Sequence, residues 1–151
     1  MKVTKGDLLE LGATGYFDVI VHGCNCQNSM EAGIARSICE RYPEAREADR
    51  QTNKGDRKKL GTIGFAVVNC PMHELTIVNA YTQYHYSGKL PLVDYEAIRS
   101  AFRKIKTRFS GKRIGYPLIG AGLAGGDWKI IAGIIEEELR EEDHTLVEFR
   151  Q

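Results

Sequence analysis

The sequence predicts an α/β protein, a three-layer α/β/α sandwich around a central mixed, mostly parallel sheet. Short apolar runs rich in Val and Ile alternate along the chain with segments of helical period. Several of these runs lack strict in–out alternation, as expected of strands covered on both faces. Two loops, "GCNCQNSMEAGIA" and "YPLIGAGLAGGDW", each follow such a run and open a helical segment. That is the carboxyl end of a strand, where open α/β sheets place their ligands.

Taken in order, "MKVTKGD" predicts a short first strand, and "FDVIVHG" (Phe17–Gly23) a second. The stripe Ala35, Ile38, Cys39 and Tyr42 predicts a helix that Pro43 interrupts. Pro43 suits the first turn of a second, exposed helix over "PEAREADRQTN". Thr62–Asn69 and Leu75–Tyr81 predict two more strands. Ile98, Phe102, Ile105 and Phe109 then share one helical face, with Asp94 near the start. "KRIGYPLI" (Lys112–Ile119) predicts a strand, followed by a helix bearing Trp128, Ile131, Ile135 and Leu139, with Asp127 at the N-cap. "HTLVEF" (His144–Phe149) is the last strand. No repeat, low-complexity tract or linker breaks the pattern, so one domain is expected over 1–151.

The chain is 42% hydrophobic and 27% charged, ordinary for a globular protein. A net charge of +1 gives no field that would gather DNA or anionic lipid, so neither nucleic acid nor membrane is an expected partner. The run Lys54–Lys59 ("KGDRKK") reads as a solvated loop, with attraction for a polyanion as the alternative. The N-terminus lacks an apolar signal region and no run reaches membrane-spanning length. A cytoplasmic location with reduced Cys24, Cys26, Cys39 and Cys70 is therefore expected. His22, Cys24 and Cys26 alternate on one strand face, but no second pair completes four zinc ligands; neither metal nor cofactor is expected.

A turn needs one or two permissive residues, so the bareness of Gly120–Gly126 implies a close approach to its backbone. Free N–H groups at a strand-to-helix loop can hold phosphate without formal charge, and two such loops could clasp a diphosphate. Over nearly its full length the chain resembles the macro domains, which bind ADP-ribose. "KGDLLEL" is similar to the GD(I/L) motif, which would put Asp7 on the adenine amino group with Leu8 among the contacts. "IVHGCNCQNSMEAGIA" is similar to the family's strand, Asn and first phosphate loop. This implies Asn25 at the distal ribose and Gly33, Ile34 and Ala35 at phosphate. "PLIGAGLAGGDW" resembles the second phosphate loop, Gly120, Ala121, Gly122, Leu123 and Ala124. "HGCN…GIA" and "GLAGGDW" look most like bacterial and bacteriophage proteins that process ADP-ribose-1″-phosphate.

There are departures. Glu31 stands where the first loop is usually small, and either turns to solvent or weakens binding by repelling phosphate. Macro domains that release ADP-ribose from glutamate carry a lysine nucleophile after the fourth strand, and the corresponding stretch here, "VNAYTQYHYSG", has no lysine before Lys89. Their aspartate after "GL" is Ala124 here, which argues against that mechanism. The catalytic candidates are Asn25 for positioning, and His22 or Asp127 for activating water. Each has a plainer reading: a turn Asn, a buried strand His, a helix N-cap. Tyr81, Tyr84, Tyr86 and His85 could wall the distal ribose, and Phe149 could stack on adenine. The expected function is an ADP-ribose-binding hydrolase acting at the distal ribose, like an ADP-ribose-1″-phosphate phosphatase. The alternatives are a non-catalytic reader, or a hydrolase of O-acetyl-ADP-ribose or of ADP-ribosylated protein.

Overall fold

A computed structural model describes residues 1–150; Gln151, the last residue of the expected domain, lies outside them. Six strands form one sheet: β1 (Lys2–Gly6), β2 (Val19–Asn25), β3 (Ile63–Cys70), β4 (His73–Gln83), β5 (Arg113–Tyr116) and β6 (Asp143–Phe149). Their spatial order is β1-β6-β5-β2-β4-β3, every neighbouring pair parallel except the β3–β4 hairpin. This is the mixed, mostly parallel sheet expected.

The helices are α1 (Leu8–Ala13), α2 (Gly33–Arg41), α3 (Pro43–Arg50), α4 (Tyr95–Phe109) and α5 (Trp128–Glu138). α4 and α5 cover one face of the sheet through Ile98, Phe102, Ile105, Phe109, Ile131 and Ile135, packed on Val19, Val21, Val78 and Ile114. α1, α2 and α3 cover the other through Leu8, Ile38, Cys39 and Ala45, packed on Ile20, Leu75 and Ile77. Successive β2 residues thus feed opposite layers. Burial of side chains such as Phe102 and Ile105 stabilises the fold by about 1.5–3 kcal/mol each before entropy is counted. No helix among the described residues is long and apolar enough to cross a membrane.

Four local outcomes differ from the sequence reading. α1 was not foreseen; its six residues are too few to show a period, and it starts because Asp7 accepts the Leu9 and Glu10 N–H groups. α3 is not simply exposed, since Ala45 and the charged Asp49 are both buried. β5 ends at Tyr116, where Pro117 removes a ladder donor. β3 is an edge strand that leaves Phe65 and Val67 partly in solvent.

Candidate functional site

A cavity of about 820 Å³ opens beyond the carboxyl ends of β6, β5, β2 and β4, within the range of small-molecule sites. Four adjacent strands at ordinary spacing make it about 14 Å across. One end is apolar, with Val147 and Phe149 of β6. The other end, beyond β2 and β4, is polar, with Asn25, Gln27, Asn28, Gln83, His85 and Lys54.

The middle is flanked by two loops. Ala32 occupies the N-cap of α2 and has no side chain to cap it. The N–H groups of Gly33, Ile34 and Ala35 therefore donate to nothing among the described residues, and all three residues line the cavity. A helix start left open in this way attracts an anion. Opposite, Gly122, Leu123 and Ala124 also line the cavity with N–H groups that carry no partner among the described residues.

The second loop is bare for two different reasons. A Cβ on Gly126 would lie 2.5 Å from the Gly120 carbonyl and 2.5 Å from Val93 Cγ1, and one on Gly120 would lie 2.7 Å from Val93 Cγ2. These glycines are required by packing. A Cβ on Gly122 would meet nothing within 4 Å, so this position alone leaves open space above the backbone. α5 does not offer its N-terminus to the cavity, because Asp127 caps it by accepting the Lys129 N–H at 2.9 Å.

Asn25 lines the cavity, and its side chain is tied to its own loop. Oδ1 accepts the Gln27 N–H at 2.8 Å and Nδ2 donates to the Ser29 carbonyl at 2.8 Å. Gly33, Ile34, Ala35, Gly120, Gly122, Leu123, Ala124 and Phe149 join it there; Ala121 instead packs towards the α4–α5 core. Asp7 and Leu8 are not among the lining residues. Asp7 caps α1 and Leu8 is buried in the core, although Asp7 directly follows Gly6, which pairs with Phe149.

Three expectations about site side chains are corrected. His22 is fully buried on the α3 side of the sheet, where Nε2–H donates to Asn79 Oδ1 at 2.6 Å. Burial lowers its pKa to about 4, keeping it neutral and out of reach of the cavity. Asp127 is an exposed helix cap outside the cavity. Tyr81 is fully buried, its hydroxyl donating to Asp49 Oδ1 at 2.7 Å, with burial pushing its pKa up.

Cys24, His22 and Asn79 have the chemical types of a nucleophilic triad. However, Cys24 Sγ lies 3.8 Å from Nδ1 and 3.6 Å from Nε2 of His22, off the lone-pair axis of either nitrogen. Burial also raises the thiol's pKa well above its usual value, which keeps it protonated. Among the described residues, no three His, Cys, Asp or Glu side chains gather as a metal site would require.

His85 is the titratable imidazole that does line the cavity. Its Nδ1 accepts the Ser87 N–H at 3.1 Å, which assigns the proton of the neutral ring to Nε2 and leaves Nε2 for a ligand. Tyr86 packs against the ring at 4.2 Å and lines the cavity too. Lys54 and Gln83 were missed as site residues, since only the return of distant segments brings them to β2.

No family model matches the chain. It is 34% identical, over 141 residues, to the uncharacterized 17.5 kDa protein in the tk–vs intergenic region of Enterobacteria phage T4, covering 90% of this chain and 88% of that one. The macrodomain of Mycobacterium tuberculosis DarG superposes with a TM-score of 0.71 at 20% identity, covering 99% of this chain and 97% of that one. The chain belongs to one family with the T4 protein, and its fold is the macrodomain fold. Thermosipho africanus DarTG, solved in complex with ADP-ribose, superposes on this chain with a TM-score of 0.75 at 16% identity. The match covers 98% of the present chain and 42% of that one.

Proposed function

We propose that this macrodomain binds ADP-ribose or a close derivative in the cavity. The observation that carries the reading is the pair of facing cradles, Gly33–Ala35 and Gly122–Ala124, whose six main-chain donors have no partner among the described residues. A diphosphate satisfies such donors with charge-assisted bonds, each worth roughly 1.5–3 kcal/mol. The adenine then lies towards Val147 and Phe149, and the distal ribose towards Asn25, Gln83 and His85. The ADP-ribose held by the similarly folded DarTG supports this assignment.

The reaction proposed is hydrolysis of a phosphate ester at the distal ribose, as in ADP-ribose-1″-phosphate. Water attacks phosphorus, the bond from phosphorus to the 1″ oxygen breaks, inorganic phosphate leaves and the ribose oxygen takes a proton. Fixed donors and positioning supply much of the acceleration in such transfers. His85 replaces His22 and Asp127 as the proton-handling group, because its free Nε2 belongs to a residue of the cavity wall.

Calorimetric titration with ADP-ribose tests the binding, and phosphate release from ADP-ribose-1″-phosphate tests the chemistry. Saturable binding, with turnover lost in His85→Ala, is the expected result. The burial of His22 and the capping role of Asp127 favour a second reading, a module that reads free or protein-linked ADP-ribose without altering it. Binding without turnover would select that reading. Absence of binding would remove both.

A further inference from the structure

Two formally charged side chains line the cavity, Glu31 before α2 and Lys54 at the polar end. The segment carrying Lys54 is fastened to the first loop. The Gly55 N–H donates to the Cys26 carbonyl at 2.7 Å, and the Tyr84 hydroxyl donates to the Gly55 carbonyl at 2.8 Å. Below, the buried ammonium of Lys59 donates to the Cys26 carbonyl at 3.3 Å and to Asn28 Oδ1, and lies 4.8 Å from the Tyr81 ring centroid. Asn28, a lining residue at φ 56°, is held from its other side by Thr52, which receives its Nδ2–H. Lys54 itself makes no ion pair among the described residues.

The polar end therefore carries a free ammonium on an anchored segment, while the buried Lys59 ammonium below it shares its cluster with the buried Asp49 carboxylate, which accepts the Tyr81 hydroxyl. The diphosphate cradles lie nearer the middle, so this charge is placed for something beyond the diphosphate. Neutral ribose hydroxyls give no reason for it; a terminal anion does. We propose that Lys54 is a specificity-determining residue that reads a phosphate monoester on the distal ribose, so that the cavity prefers the phosphorylated nucleotide to ADP-ribose. This rests on the assignment of the two cradles to the diphosphate. Lys54 is exposed, so screening limits the preference to about 5- to 10-fold.

The test compares affinities for ADP-ribose and its 1″-phosphonate analogue, which cannot be hydrolysed, in the wild type, Lys54→Gln and Lys54→Arg. The wild type should favour the phosphonate about 5- to 10-fold, and the preference should shrink with added salt. The ratio should fall towards one in Lys54→Gln and return in Lys54→Arg. Thermal unfolding of each variant confirms that the ratio is read on folded protein. An unchanged ratio in Lys54→Gln, or a wild type that binds both nucleotides equally, overturns the role of Lys54 and leaves the diphosphate assignment standing. A wild type that binds neither nucleotide overturns both.

Discussion

The two loops that face each other across the cavity both join a parallel strand to a helix, yet they free their donors by different means. In the first, the helix itself is open: Ala32 cannot cap α2, and the first three helical N–H groups remain unpaired. In the second, Asp127 closes the helix, and the free donors belong to a turn pressed against Val93 by Gly120 and Gly126. One loop uses a helix terminus, the other a packed backbone. A shared place between strand and helix therefore does not imply similar mechanics, and substitutions should separate the two.

The largest effect concerns the strand that carries the first loop. His22 is held at about 4 by burial, against 6.5 in an unfolded chain. Between those values the unfolded state takes up a proton that the folded state refuses. Stability is therefore full above about 6.5 and falls by up to about 3 kcal/mol as pH drops to 4. Urea unfolding across this window should show the decline, and His22→Asn should flatten it; a slope unchanged in the variant would mean that other groups carry it.

In the second loop, Gly126→Ala forces a Cβ into the Gly120 carbonyl and should cost about 2 kcal/mol or more by thermal unfolding. Gly122→Val should keep the melting temperature and lose nucleotide affinity, since its side chain enters open cavity space. If both variants lost stability alike, the division of this loop into packed and open glycines would be wrong.

For the first loop, Ala32→Ser supplies the missing cap. It should stabilise the fold by about 0.5–1 kcal/mol and weaken nucleotide binding at the same time, because the hydroxyl competes for the same N–H groups. A gain in stability with unchanged affinity would mean that the ligand does not use them. The smallest effect is expected of Glu31→Gln. This exposed carboxylate beside the cradle should cost only a few-fold in affinity, recovered in the variant, because solvent screens it.

Much of the fold was legible because its signals are periodic. Ile98, Phe102, Ile105 and Phe109 spell one helix face, and Asp94 and Asp127 are caps where expected. Of the candidate cavity, the lining made of backbone was legible, since small residues after a strand are visible in sequence. Side-chain roles were harder. His22, two positions from Ile20, points to the same layer and is sealed beneath α3, which "PEAREADR" taken as an exposed helix did not reveal. Lys54, Lys59 and His85 depend on long-range returns such as Gly55 to Cys26, which no local pattern encodes.

The most direct measurement is an amide ¹H–¹⁵N titration with ADP-ribose. The resonances of Gly33, Ile34, Ala35, Gly122, Leu123 and Ala124 should shift strongly and saturate together, while Lys129 and Ile130, already bonded to Asp127, should barely move. Saturable shifts confined to other amides, or none at all, would contradict the claim that these two open stretches of backbone grip the diphosphate.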